Sequence, residues 1–363
     1  MVLIRGSFGS DLITPTGIFP TLPGSGDDQI FADFGNDTVD GGAGNDFITG
    51  DSGDDLLIGG DGDDQMFGNA GNDILDGGNG KDILQGGGGD DIVVGGAGDD
   101  QVFGGAGKDA LFGGTGNDFL IGGGGDTLFN GDFINGEVGD DTLVGGNGKD
   151  TLDGGTGKDN LTAAANDDLC FGDGRVRTSI TVVGSDDIIL AGEGNDTIFG
   201  GFGNSSTSTG NDTIDGGGGN DNINGQDGND TVIGGSGGDV VVGGLGNDTV
   251  IGVNPNSTLA GAFEIDALRG DTSTLVGADR FILGDANGVY YRFAGTGDYA
   301  DILDFQKGID RIQLQGAASN YGLGIAGTDT GILFTANGST ELIGIVRGST
   351  GLNLNDPTQF IYV

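Results

Sequence analysis

The 363 residues include 85 glycines, 13 lysines and arginines against 56 aspartates and glutamates, one cysteine and no histidine, for a formal net charge of −43. A chain this acidic, with only 7% aromatics, is swollen by its own repulsion until cations compensate it, and its sparse, scattered basic residues exclude nucleic acid and anionic membrane surfaces as partners. The missing histidine removes Ser-His-Asp and Cys-His nucleophilic machinery, zincin motifs and imidazole acid–base chemistry, so no catalytic residue is expected and the chain does not read as an enzyme.

Residues 1–22 form a lead-in. Val2-Leu3-Ile4 is followed at once by Arg5, Gly6 and Ser7, which is too short an apolar run for a signal peptide or a transmembrane segment. From Pro23 to Ile121 the sequence divides without a gap into eleven nonamers. The sixth position is always aspartate: Asp28, Asp37, Asp46, Asp55, Asp64, Asp73, Asp82, Asp91, Asp100, Asp109 and Asp118. The eighth is always apolar, from Ile30, Val39 and Ile48 to Leu111 and Leu120.

The frame stumbles over 122–135, where two units read as shortened, and recovers for four nonamers that carry Asp141, Asp150, Asp159 and Asp168. A break at 172–181 contains Arg175 and Arg177, read as a solvated loop offsetting nearby acid. Two units follow with Asp187 and Asp196, a third is split over 204–211, and four with Asp221, Asp230, Asp239 and Asp248 end the array at Ile251. The repeat domain is therefore 23–251. Over 252–363 glycine thins out, all five tyrosines occur, and alternating stretches such as Ile309 to Leu314 predict a β-rich domain that caps the open end of the array.

In a unit such as Gly41-Gly42-Ala43-Gly44-Asn45-Asp46-Phe47-Ile48-Thr49, six residues are expected to turn and three to form a strand whose middle residue points inward. Two units make one coil, and stacked coils pair as parallel strands, giving an all-β parallel β-roll, a β-solenoid of about twelve coils and roughly 55–60 Å in length. One buried aliphatic per nine residues contributes about 1.5–3 kcal/mol, less than the cost of ordering nine residues. Position-six carboxylates from successive coils would stand about 4.8 Å apart on one edge and repel. A hard cation accepting both carboxylates and turn carbonyls resolves this, and calcium, with six to eight oxygen ligands, suits the site better than magnesium. Cys170, at position eight, reads as core filler.

This array resembles the RTX (repeats-in-toxin) calcium-binding nonapeptide repeat, and the chain resembles cyanobacterial secreted members of that family. The resemblance implies that the aspartates named above, with turn glycines such as Gly42, Gly44, Gly60, Gly62, Gly78, Gly80, Gly96 and Gly98, coordinate Ca2+ between coils, on the order of one ion per intact repeat. It is carried over to intact units only, leaving aside Asp126, Asp132 and Asp212. Gly277-Ala278-Asp279-Arg280-Phe281-Ile282, Asp301-Ile302-Leu303-Asp304-Phe305 and Gly308-Ile309-Asp310-Arg311-Ile312 resemble the region that closes such arrays. The ending Phe360-Ile361-Tyr362-Val363 is similar to the apolar tail of an uncleaved type I export signal, which implies a secreted or cell-surface location.

Positions seven and nine should face outward, yet in the eleven-unit block they are apolar at 14 of 22 sites, unlike a solvated face. Asp-Asp-Gln-Ile-Phe at 27–31 returns at 63–67 and 99–103, which predicts Phe31, Phe67 and Phe103 in one column and a surface for self-association or a cell-surface partner. The function expected is that of a secreted, calcium-folded structural or cell-surface protein. The alternatives are an adhesin or self-assembling surface-layer component, and the calcium-dependent module of an exported hydrolase or epimerase whose catalytic part is elsewhere, since only 22 residues precede the array. A pore-forming toxin would need long apolar helices, and ice binding would need ranks of Thr and Asn in place of Ser25, Phe34, Ala43, Ser52, Asp61 and Ala70 at position three.

Overall fold

Each nonamer supplies one strand and one turn, and two nonamers bring the chain back to its starting direction. The computed structural model describes residues 3–5, 12–13, 25–124, 131–173, 185–201, 210–254, 264–271, 277–286, 288–291 and 298–363. They belong to two units, Met1–Val176 and Arg177–Val363. Among the described residues there is no α-helix, and none long and apolar enough to cross a membrane.

The strands are longer than the sequence suggests. They run over positions seven to nine and on through positions one to three of the next unit, as in Phe47–Ser52 and Leu56–Asp61. The turn is confined to three residues instead of six because pairing between coils resumes at position two, with Gly42 opposite Gly60 and Ala43 opposite Asp61, while position one is skipped. Glycine makes this possible at positions two and four. Gly60 and Gly62 have φ of 112° and 135°, in the left-handed region, and a Cβ on either would run into the carbonyl oxygen of Gly42 or Gly44 in the preceding coil.

In the first unit, strands of odd-numbered repeats stack in one parallel sheet and those of even-numbered repeats in a second. Phe47 lies opposite Gln65, Ile48 opposite Met66 and Thr49 opposite Phe67, a register of 18 residues. At Ala110 opposite Phe133 and Phe119 opposite Thr142 the step becomes 23. The segment read as two shortened units is thus one unit with five extra residues in its connection. In the second unit Ile188 lies opposite Thr213, a step of 25 that places the expected split before Asp212 between two in-register strands.

Position eight forms the core: Ile30, Val39, Ile48, Leu57, Met66, Leu75, Leu84 and their successors are fully buried, and Cys170 occupies the same column beside Leu152. Positions seven and nine face out. Phe31, Phe67 and Phe103 share one column, separated by Thr49 and Gln85, and the ring of Phe47 bridges Phe31 and Phe67 at centroid distances of 5.7 and 5.6 Å.

Parallel pairing does not stop at 252. Val240 lies opposite Ala267, Thr249 opposite Arg280, Arg280 opposite Arg311 and Ile312 opposite Phe360, so Phe281, Ile312 and Phe360 continue the position-eight column. What changes is the connections, which lengthen, and the end of one sheet, where Tyr321–Ala326, Asp329–Ala336 and Ser339–Val346 form an antiparallel meander. Arg347 fastens the meander by pairing with Asp301 at 2.5 Å and Asp329 at 3.0 Å.

Candidate metal site

Position six ends the turn, so its side chain points back under the strand while its main chain faces the next coil. All 21 aspartates singled out in the repeats are buried there, none more than 4% exposed. In the first unit the N–H of Asp28 donates to Oδ1 of Asp46 at 2.7 Å, that of Asp46 to Asp64, of Asp64 to Asp82, of Asp82 to Asp100, of Asp100 to Asp118, of Asp118 to Asp141 and of Asp141 to Asp159. The opposite edge runs from Asp37 through Asp55, Asp73, Asp91, Asp109, Asp132 and Asp150 to Asp168 in the same way. In the second unit Asp187, Asp212, Asp230, Asp248, Asp279 and Asp310 make one ladder and Asp196, Asp221, Asp239 and Asp266 the other.

Oδ1 is thus satisfied by a donor. The second oxygen is different. Oδ2 of Asp46, Asp55, Asp64, Asp73, Asp82, Asp91, Asp100, Asp118, Asp141, Asp221, Asp230, Asp239 and Asp248 is buried with no hydrogen-bond partner. It faces a glycine at position one. A Cβ on Gly41 would lie 2.6 Å from Asp46 Oδ2 and 2.8 Å from the carbonyl oxygen of Gly59; on Gly95 it would lie 2.6 Å from both Asp100 Oδ2 and the Gly113 oxygen. Each such rung brings two acceptors, one of them charged, to one small space with no donor between them. Buried oxygens in that state cost several kcal/mol unless a cation or a proton joins them.

The electrostatics say the same. Burial pushes Asp64 up to about 7, against the main-chain donor from Asp46, and the carboxylates of Asp82 and Asp46 add to the rise. Asp91, Asp141 and Asp221 rise to about 7 and Asp230 to about 9, each chiefly through burial. Among the described residues no three acidic or cysteine side chains converge on one point, so the oxygens that meet are carboxylate and main-chain carbonyl, the hard donor set that calcium prefers.

Gly42, Gly44, Gly60, Gly62, Gly78, Gly80, Gly96 and Gly98 all have positive φ, and the carbonyls of Gly42, Gly44, Gly60, Gly62, Gly78 and Gly80 point at the glycine of the following coil. The carbonyls that meet Oδ2 belong instead to position one, as in Gly59, Gly77, Gly95 and Gly113, a role signalled by the paired glycines at the start of most units. Asp132 and Asp212, set aside because their units are irregular, stand in the ladders. Asp266, Asp279 and Asp310 extend them beyond the array, and for the last two the stretches Gly277-Ala278-Asp279 and Gly308-Ile309-Asp310 carried the signal. An outer ladder at position five was not anticipated: Asn45 donates its N–H to Asp27, Asp63 to Asn45 and Lys81 to Asp63. Asp126, Arg175 and Arg177 lie outside the described residues.

A parallel roll of nine-residue repeats, with a buried carboxylate ladder along both turn edges, is a β-solenoid whose repeats are built around oxygen donors. The chain belongs to the RTX calcium-binding nonapeptide repeat family, whose model matches residues 24–57, 40–75, 49–84, 76–111, 103–133, 127–161, 144–174, 183–206, 205–232 and 233–252. No curated protein matches the chain.

Proposed function

We propose that the chain holds calcium at its turns through the position-six carboxylates and position-one glycine carbonyls, folds on binding it, and works outside the cell as a structural or cell-surface protein without catalytic activity. The observation that carries this reading is the run of buried Oδ2 atoms without a donor, each turned toward a glycine at position one. Calcium supplies charge neutralisation and further coordination to these oxygens; the chain supplies spacing, since Oδ1 is pinned by the neighbouring coil and Oδ2 is held in a fixed place. Binding is then coupled to folding, because the oxygens converge only in the coiled chain. A calcium-poor cytosol would keep the chain unfolded for export, and calcium outside would fold it.

Far-UV circular dichroism of chelator-stripped protein titrated with calcium, with magnesium as control, tests the reading. A cooperative coil-to-β transition specific to calcium is expected, and full β structure in chelator overturns it.

The outer faces support one further element, lateral association with a second copy. Phe31, Phe47 and Phe67 on one sheet, and Phe112 against Phe133 at 5.7 Å on the other, make uncharged aromatic ridges that a second copy can match. Sedimentation in calcium decides it, and a strict monomer at high concentration removes it.

A further inference from the structure

The last rung of one ladder in the second unit is built differently from the rest. Asp266 accepts the N–H of Asp239 at Oδ1, as every rung does, at 2.9 Å. Its Oδ2, however, accepts the hydroxyl of Tyr291, and both residues are fully buried. At most regular rungs a Cβ on the position-one glycine would meet Oδ2 and the carbonyl oxygen of the next coil, as Gly234 would meet Asp239 Oδ2 and the Gly252 oxygen. At this rung a Cβ on Gly252 would meet Asp266 Oδ2 and the Tyr291 hydroxyl instead. A donor stands where a regular rung has an acceptor.

The change falls where the ladder runs out of aspartate, since the next coil places Ala300 opposite Asp266. Tyr291 reaches the place at some cost, with φ of 54°, a left-handed conformation that bulky side chains avoid. The other ladder ends on the same principle: Asp310 accepts the N–H of Asp279 at Oδ1 and that of Gln306 at Oδ2, at 3.1 and 2.6 Å. Asp279, one rung earlier, still has a buried Oδ2 with no partner.

We infer that Tyr291 closes the Asp266 rung to cations and so ends one metal row at Asp239. Two acceptors facing each other need a cation or a proton between them; a carboxylate oxygen facing a phenol hydroxyl already has its donor. The terminal carboxylate, which has Ala300 and not an aspartate directly opposite it in the next coil, has its second oxygen satisfied by a hydrogen bond within the chain.

The inference rests on the calcium reading of the ladder, and one experiment separates the two. Bound calcium is counted by native mass spectrometry for the full chain and for Asp230→Asn, Asp266→Asn and Tyr291→Phe. Asp230→Asn, at a regular rung, is expected to lose at least one ion. Asp266→Asn keeps Oδ1 as an acceptor and turns its amide to donate to the Tyr291 oxygen, so it should fold in calcium with the count unchanged. Tyr291→Phe should also keep the count while melting at a lower temperature. A lower count or a failure to fold in Asp266→Asn, or a lower count in Tyr291→Phe, overturns the closed rung, whereas an ion gained in Tyr291→Phe supports it by showing that the hydroxyl had kept it out. An unchanged count in Asp230→Asn overturns the calcium reading of the ladder instead.

Discussion

The main-chain N–H of Asp46 donates to Oδ1 of Asp64, 18 residues further along the chain, at 2.7 Å. That bond fixes one oxygen and leaves the other facing the carbonyl of Gly77. Asp64→Ala removes both, stranding a buried N–H at a cost of about 1–3 kcal/mol. Asp64→Asn keeps the acceptor and offers an amide donor to the carbonyl. The alanine variant is expected to need more calcium to fold and to melt several degrees below the asparagine variant in saturating calcium, as read by circular dichroism. Equal behaviour of the two would mean that Oδ1 is not part of the support.

Gly62 and Gly88 separate backbone need from composition. Gly62 has φ of 135° and its Cβ would strike the Gly44 carbonyl, whereas the nearest atom to a Cβ on Gly88 is the Asn69 oxygen at 3.8 Å. Gly62→Ala is expected to cost at least about 1–3 kcal/mol in calcium, and Gly88→Ala to be neutral or to stabilise by about 0.4–1 kcal/mol. Thermal melts compare them directly, and a reversed order would contradict the close approach of coils.

Leu84 is fully buried at position eight while Ile92, at position seven of the other sheet, is 43% exposed. Leu84→Ala should cost about 2–5 kcal/mol through the cavity it leaves, and Ile92→Thr about 0.5 kcal/mol or less. Denaturant midpoints in calcium measure both; similar losses would place Ile92 in a buried interface.

The ladder carboxylates also predict how acid acts on the metal-free chain. Burial raises the folded pKa above the unfolded value near 3.8, to about 7 at Asp64, Asp91 and Asp239 and about 9 at Asp230. Protonation therefore favours the folded form: the contribution is complete below about pH 4 and is lost as pH rises through 7 to 9. In chelator, β-type ellipticity should grow as pH is lowered from 8 to 5. In calcium the same acidification should raise the calcium needed for folding, because protons compete for Oδ2. A metal-free chain whose β content falls on acidification would refute the assignment.

The repeats were legible because each signal is local and recurs: aspartate at six and an apolar residue at eight lie in every regular unit, glycine at four lies in nearly all of them, and the register follows from counting. Strand length was not, because glycine and alanine at positions one to three carry no strand propensity, and only pairing between Gly42 and Gly60 draws them into the sheet. Asp132 was set aside because counting in nines fails across an insertion, although hydrogen bonding resumes after it. Tyr291 could not have been found at all, since its partner lies 25 residues away and belongs to no repeat.

Identical coils bring a difficulty of their own, because a ladder of like rungs cannot count itself. A chain paired one coil too far, 36 residues apart throughout, still sets Asp28 opposite Asp64 and Leu57 opposite Val93, with every column intact. It fails at the 23-residue step, where the same offset sets Asp91 opposite Thr127. The five added residues thus work as an index mark on an otherwise uniform scale, and the irregularities of the array are what give its slipping frames a single correct alignment.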